Sequence, residues 1–190
     1  MHNKSLKLFC YIDKFDNILI NNLPKKTHVI YRNYKETPNL EKILKIKKAC
    51  NNKGLKFFLS NNIKLAMRLK LDGAYIPSFN KELNFNSYNL NKKFKLLGSA
   101  HNLKEIRIKE MQKIEYIFLS PLFPSIKNKN YLGIYKFFNL MKKTKKKVVC
   151  LGGITKSNIK TLKNLNLYGM ASISYFKVNK HGQKIRYSIY

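Results

Sequence analysis

One hundred and ninety residues, 44% of them hydrophobic and 13% aromatic, suffice for one domain with a substantial core and fall short of two ordinary ones. Such a composition excludes a disordered or fibrous chain, and no run approaches the roughly 18 consecutive apolar residues of a membrane helix. The net charge of +30 comes from 39 basic and nine acidic residues, so metal and acid/base chemistry has few carboxylates to draw on.

In the N-terminal MHNKSLKLFCYIDKF the apolar stretch before Asp13 and Lys14 is too short for a signal peptide, so a cytoplasmic protein is expected. Apolar runs rich in β-branched and aromatic residues then recur along the chain. They are KLFCYID (7–13), THVIYR (27–32), LKFFLS (55–60), GAYIPS (73–78), KLLGSA (95–100), EYIFLSP (115–121), KKVVCLGGI (146–154) and YGMASISYF (168–176). Between them, apolar residues spaced by three and four predict helices over 39–52, 62–71 and 102–113, each with one buried stripe. Another helix is expected in TKSNIKTLKNL, directly after Gly153.

Near-continuous hydrophobic strands joined by helices imply a parallel sheet covered on its outer face. Eight such units predict a single, compact (β/α)₈ TIM barrel; a doubly wound sheet would suit so many strands in so short a chain less well. A typical barrel has about 250 residues, so loops must be short throughout. The barrel is expected over 1–176. The basic tail 177–190, KVNKHGQKIRYSIY, shows no good eighth helix, so the last helix is atypical or missing.

The charge invites a nucleic-acid reading, but the bases divide into 35 lysines and four arginines spread over the whole chain, and arginine's planar fork is the usual reader of phosphate and base. The lysines accompany an excess of Asn and Ile, which points to AT-rich codon usage on solvated faces. The dense KKTKKK run at 142–147 reads as a helix end. Such a field still attracts small anions. Cys10, Cys50 and Cys150 are an odd set without CxxC spacing, expected to be buried free thiols.

In a barrel of this kind function gathers at the C-terminal ends of the strands. Gly152 and Gly153, ending the seventh run, offer backbone N–H groups to an anion, and Ser174 after the eighth adds a hydroxyl. A glycine pair can equally serve only a tight turn. SPLFPSIKNKN (120–130) joins two prolines to Ser125, Lys127 and Lys129, donors suited to a polyanion, with an ordinary proline-rich loop as the alternative. His101, in GSAHN, is the one histidine expected at that mouth; it can shuttle protons or simply cap a helix.

Taken together, LFCYID, the Arg of VIYRNY, SNNIKLAMRLKLDGAYIPS, LGSAHNLKE, YIFLSPLFPS, LGGI and GMASIS stand in the order and spacing of the thiamine-phosphate synthase and TenI-type thiazole tautomerase family, which the chain resembles from about residue 6 to 176. The resemblance implies a thiamine-biosynthesis enzyme that couples hydroxymethylpyrimidine diphosphate to thiazole phosphate and releases diphosphate with Mg²⁺. It assigns Gly152, Gly153, Ile173 and Ser174 to the thiazole phosphate, and Asn61, Ser99, Ser125 and Lys127 to the pyrimidine and diphosphate, with Arg32 at the second strand. His101, Ser99 and Lys127 are its candidate catalytic residues.

The pattern also departs from the family. Its Asn-Asp pair after the third strand reads Asn61-Asn62, and its Gln-Glu-Asp run after the fourth reads Ser78-Phe79-Asn80. The metal positions, Asn62 and Asn80, are amides, which bring no charge to a cation that prefers carboxylates. Two alternatives therefore stand beside the synthase: a TenI-like tautomerase using His101, and a degenerate, non-catalytic phosphate-binding homologue. The expected partners are small phosphorylated thiazoles and pyrimidine diphosphates rather than nucleic acid or membrane, and a homo-oligomer is left open.

Overall fold

A computed structural model describes residues 6–125, 129–172 and 175–176 of the chain. Each of the eight apolar runs becomes a strand, β1 (Lys7–Ile12), β2 (His28–Tyr31), β3 (Lys56–Ser60), β4 (Gly73–Ile76), β5 (Lys95–Ala100), β6 (Tyr116–Leu119), β7 (Lys147–Leu151) and β8 (Gly169–Ser172). All neighbours pair in parallel and β8 returns to β1, with Lys7 beside Gly169 and Cys10 beside Ser172, so the sheet closes into a barrel.

Strand periodicity divides the continuous apolar runs between two compartments. Phe9, Tyr11, Ile30, Phe58, Tyr75, Leu97, Phe118, Val149 and Ala171 fill the barrel interior. Their neighbours Cys10, Val29, Phe57, Ala74, Leu96, Ile117, Val148 and Met170 face the surrounding helices. Inside, Phe118 meets Phe9, Tyr11 and Tyr75 edge-on at centroid distances of 4.9, 6.2 and 5.4 Å. Pairs of this geometry contribute about 0.5–1.5 kcal/mol beyond the area they bury. The three cysteines are free and buried, and burial pushes the thiols of Cys10 and Cys50 up to about 12.

The outer layer is economical. Helices α1 (Asn17–Asn22), α2 (Leu40–Asn52), α3 (Ile63–Arg68), α4 (Leu103–Met111) and α5 (Gly133–Lys142) cover the sheet. The first four start at Asp16, Asn39, Asn62 and Asn102, whose side-chain oxygens each accept a backbone N–H three residues on. The 142–147 run ends α5 at Lys142 and enters β7 at Lys147. The α-helix expected directly after Gly153 is replaced by a 3₁₀ segment, Ile159–Asn164. Asn158 explains the difference: its side chain accepts from Thr155 N and donates to Gly153 O, a local pairing that competes with the helical ladder. A second 3₁₀ turn, Asn84–Ser87, follows β4. After β8, Tyr175 and Phe176 are buried; the tail 177–190 lies outside the described residues. Among the described residues no helix is long and apolar enough to cross a membrane.

Candidate functional site

Continuing the inward-facing parity past the interior layer leads from Ile30 to Arg32, from Phe58 to Ser60, from Leu97 through Ser99 to His101, and from Phe118 to Ser120. These residues rim the C-terminal mouth. The Arg32 guanidinium lies 4.8 Å from the Tyr11 ring centroid and 6.0 Å from that of Tyr34. Beneath it the Tyr11 hydroxyl is buried with no hydrogen-bond partner among the described residues. Burial raises the Tyr11 phenol well above its ordinary range, with Tyr75 adding to the shift and Arg32 opposing it. An orphaned hydroxyl under a cation is a position a ligand oxygen can satisfy. Tyr34 shares a 2.7 Å hydrogen bond with Ser60 and packs edge-on against Phe79. Burial pushes its phenol up to about 12, so it is neutral at physiological pH. Ser99 is buried, and its hydroxyl partly offsets the upward shift that burial gives Tyr75.

His101 sits between β5 and α4, its backbone N–H donating to Glu105 Oε2. The ring Nδ1 lies 2.7 Å from the Ser120 carbonyl, which can only accept, so Nδ1 carries the hydrogen. In the neutral ring Nε2 then accepts from Ser78 Oγ at 3.1 Å. The arrangement is an oriented base with a hydroxyl at its working nitrogen.

Ser78 and Asn80 belong to the loop after β4, and a buried cation holds that loop. Lys109 of α4 is fully buried, and its ammonium donates to Pro77 O, Asn80 O and Gln112 Oε1, each at 2.8 Å. Gln112 Nε2 in turn donates to Asn80 O and Glu82 O. Burial pulls the Lys109 pKa down to about 8, with Glu105 opposing.

At β7, Gly152 and Gly153 adopt φ of +96° and +64°. A Cβ on Gly152 would come within 2.7 Å of Pro121 Cβ, and one on Gly153 would strike the carbonyls of Phe123 and Pro124. The pair therefore lets the β7 turn pack against the proline strap after β6, and both glycines are demanded by conformation as well as by space. Their N–H groups take no acceptor among the described residues, which leaves them to a ligand. Ser125, at the strap's end, is exposed. Lys127, Ile173 and Ser174 lie outside the described residues.

Residues 18–176 match the family model described as thiamine monophosphate synthase. The chain belongs to this family. It is similar to a thiamine-phosphate synthase of Prochlorococcus marinus, 29% identical over 152 residues covering 77% of this chain and 43% of the relative. A thiamine-phosphate synthase of Helicobacter pylori is 29% identical over 140 residues, covering 69% and 61%. The chain thus spans about two-fifths to three-fifths of the length of these relatives. In fold it resembles a thiamine phosphate pyrophosphorylase from Pyrococcus furiosus, with TM-score 0.71 and 18% identity over 90% of this chain and 87% of that one. A second, from Bacteroides thetaiotaomicron, aligns with TM-score 0.58 and 16% identity over 97% and 92%.

Within this thiamine monophosphate synthase family member, the residues at the expected Mg²⁺ positions do not fit the ion. Asn62 Oδ1 caps α3 by accepting from Leu65 N, and Asn80 Oδ1 accepts from Glu82 N. Asn61 Oδ1 accepts from Asn80 Nδ2 at 2.8 Å. All three amide oxygens face N–H donors, none is charged, and no group of three or more metal-ligating side chains forms among the described residues.

Sequence reasoning overlooked Tyr11 and Lys109. Inward parity, one step back from the strand end, would have found Tyr11. A lysine among more than thirty others carries no signal that it is the buried one.

Proposed function

We propose that this chain is a thiamine-phosphate-synthase-type transferase that condenses hydroxymethylpyrimidine diphosphate with thiazole phosphate. The bond between the pyrimidine methylene and diphosphate breaks, its electron pair leaves with diphosphate, and the thiazole nitrogen takes the carbon. The observation that carries this reading is the pair of left-handed glycines at β7, whose N–H groups have no acceptor among the described residues and suit the thiazole phosphate. Arg32, stacked at the mouth over Tyr11, supplies positive charge for diphosphate. By sequence Lys127 adds to it, and Asn61, Ser125, Ile173 and Ser174 complete the substrate positions the family pattern assigns. Since the amides do not fit Mg²⁺, this reading gives leaving-group neutralisation to the chain's own cations.

A specific observation favours a second reading. His101, with Nδ1 fixed on Ser120 O and Nε2 toward Ser78, is set for metal-free proton transfer, as a thiazole phosphate tautomerase requires.

The test is thiamine phosphate formation by purified protein from both substrates, with Mg²⁺ and with chelator. Product in both conditions supports transfer by the chain's own charges, and product only with Mg²⁺ refutes that part. No product from the coupled substrates, but conversion of the thiazole tautomer, establishes the second reading. Failure of both leaves a phosphate-binding homologue.

A further inference from the structure

The N-terminal mouth of the barrel carries a feature that the catalytic reading does not use. The four odd-numbered strands place Phe9, Phe58, Leu97 and Val149 in the barrel interior. Two residues earlier on the same strands, and so on the same inward face, stand Lys7, Lys56, Lys95 and Lys147. In barrels of this kind one layer of side chains comes from alternate strands, so these four lysines form a complete layer. The even strands contribute His28, Gly73, Tyr116 and Gly169 at the matching positions. Gly73 and Gly169 let the neighbouring strands approach closely, since a Cβ on either would strike the backbone of Lys95 or Lys7.

Above this ring lies a cavity of about 1130 Å³ lined by Lys7, Lys56, Lys95, Lys70, Lys92 and Lys93 among others. Seven of its eighteen lining residues are lysines, and Asp72 is its one carboxylate. Lys56 pairs with Asp72 and Lys95 with Glu115, but no hydrogen bond or ion pair holds the ammonium of Lys7, Lys70, Lys92 or Lys93 among the described residues. The lining is also aromatic: Tyr116 and Tyr168 pack at 4.6 Å, and His28 stacks on Phe58 at 5.7 Å with an 11° tilt. Burial lowers the His28 pKa to about 4, so it serves as a neutral ring. A concave site that combines one sign of charge with ring surfaces concentrates anions that carry a ring of their own.

We propose that this N-terminal mouth is a second binding site, distinct from the C-terminal one, for a phosphorylated heteroaromatic of the nucleoside polyphosphate class. The phosphates meet the lysines and the base meets the aromatic surfaces.

The experiment is calorimetric titration of the full chain with ADP, adenosine, inorganic diphosphate and a short single-stranded oligonucleotide. Saturable 1:1 binding of ADP, tighter than adenosine or diphosphate alone, is the expected result. Lys92→Glu with Lys93→Glu, on an exposed loop, and separately Lys7→Met, should each weaken it, the double variant by about tenfold or more from the lost and reversed charge. Arg32→Ala, at the opposite mouth, should leave it unchanged. Absent binding, diphosphate equal to ADP, or indifference to the lysine variants overturns the proposal. So does an oligonucleotide that displaces ADP as a far tighter ligand, or loss of ADP binding in Arg32→Ala, which would place the ligand at the C-terminal mouth.

Discussion

Replacing Lys109 by Met separates two roles that a buried cation can have. Its pKa of about 8, against 10.5 in an ordinary setting, means that the charged form carries a burial penalty of about 3 kcal/mol at neutral pH. Methionine fills the same volume without that penalty. It also orphans Gln112 Oε1, at about 1–3 kcal/mol, while Asn80 O keeps its bond from Gln112 Nε2 at 3.0 Å and Pro77 O keeps its bond from Asn80 N at 3.1 Å. The opposing contributions nearly cancel, leaving a net change within about 2 kcal/mol. The loop at 77–82, however, loses its charged anchor and keeps only the Gln112 amide, which loosens Ser78 at His101 and Asn80 at Asn61. Lys109→Met should therefore lower kcat strongly and release amide-exchange protection in 77–82 while denaturant unfolding shifts only modestly. The pH dependence gives a second signature. Between about pH 8 and 10.5 the unfolded lysine binds its proton and the folded one does not, so wild-type stability rises with pH across that window. The variant should lack this rise. Intact loop protection, or loss of activity in strict proportion to global unfolding, would refute the reasoning.

His28 makes the complementary prediction at low pH. Its folded pKa of about 4 lies below the ordinary 6.5, so the unfolded state binds more protons between those values and stability falls as pH drops through them, by up to about 3 kcal/mol. Denaturant titrations at pH 7 and pH 5 should show this fall in wild type and not in His28→Phe. Gly153→Ala puts a Cβ at positive φ against the Phe123 and Pro124 carbonyls, and should weaken thiazole phosphate binding at least tenfold by calorimetry as well as lower the melting temperature. His101→Asn should reduce turnover far more than thiazole phosphate affinity in a steady-state split of kcat from KM, because the ring is placed for proton handling and not for phosphate. Asn62→Asp with Asn80→Asp keeps the α3 cap, since aspartate caps as well as asparagine, and replaces an amide donor by charge. Calorimetry should then detect Mg²⁺ binding that wild type lacks.

The barrel was legible because strand burial on both faces writes an unbroken apolar run, and β1 to β8 fall inside the eight runs read from sequence. The 3₁₀ segment after β7 was not, because TKSNIKTLKNL has helical spacing and only the Asn158 side chain, bonded to Gly153 O, shows why the ladder fails to start there. Glycine and histidine at strand ends gave the outline of the candidate site. Its interior connections escaped, since hydrogen bonds such as Ser78 to His101 join residues 23 apart in a chain where serine, asparagine and lysine are everywhere. The buried Lys109 is the clearest case: burial is a property of the fold around a residue, and the sequence shows an ordinary lysine on an exposed-looking helix.

The amides at the metal positions and the lysines elsewhere are two sides of one electrostatic condition. A carboxylate pair that holds Mg²⁺ provides local negative charge so that a dication, and then diphosphate, can be stacked upon it. In a chain of net charge +30 the diphosphate is already attracted, while a dication approaching neutral amides meets repulsion and no compensating ligand charge. Asn61, Asn62 and Asn80 turn their oxygens to N–H groups and thereby build the loops, a task that an unpaired carboxylate beside Asn61 Oδ1 would disturb by repulsion. Under the proposed function, in which cations of the chain neutralise the leaving group, the same positions are freed for purely structural hydrogen bonds, and carboxylates introduced there alone should add a metal site without adding rate. An increase in turnover on restoring Asn62→Asp and Asn80→Asp with Mg²⁺ would show instead that the chain's own cations are an incomplete replacement.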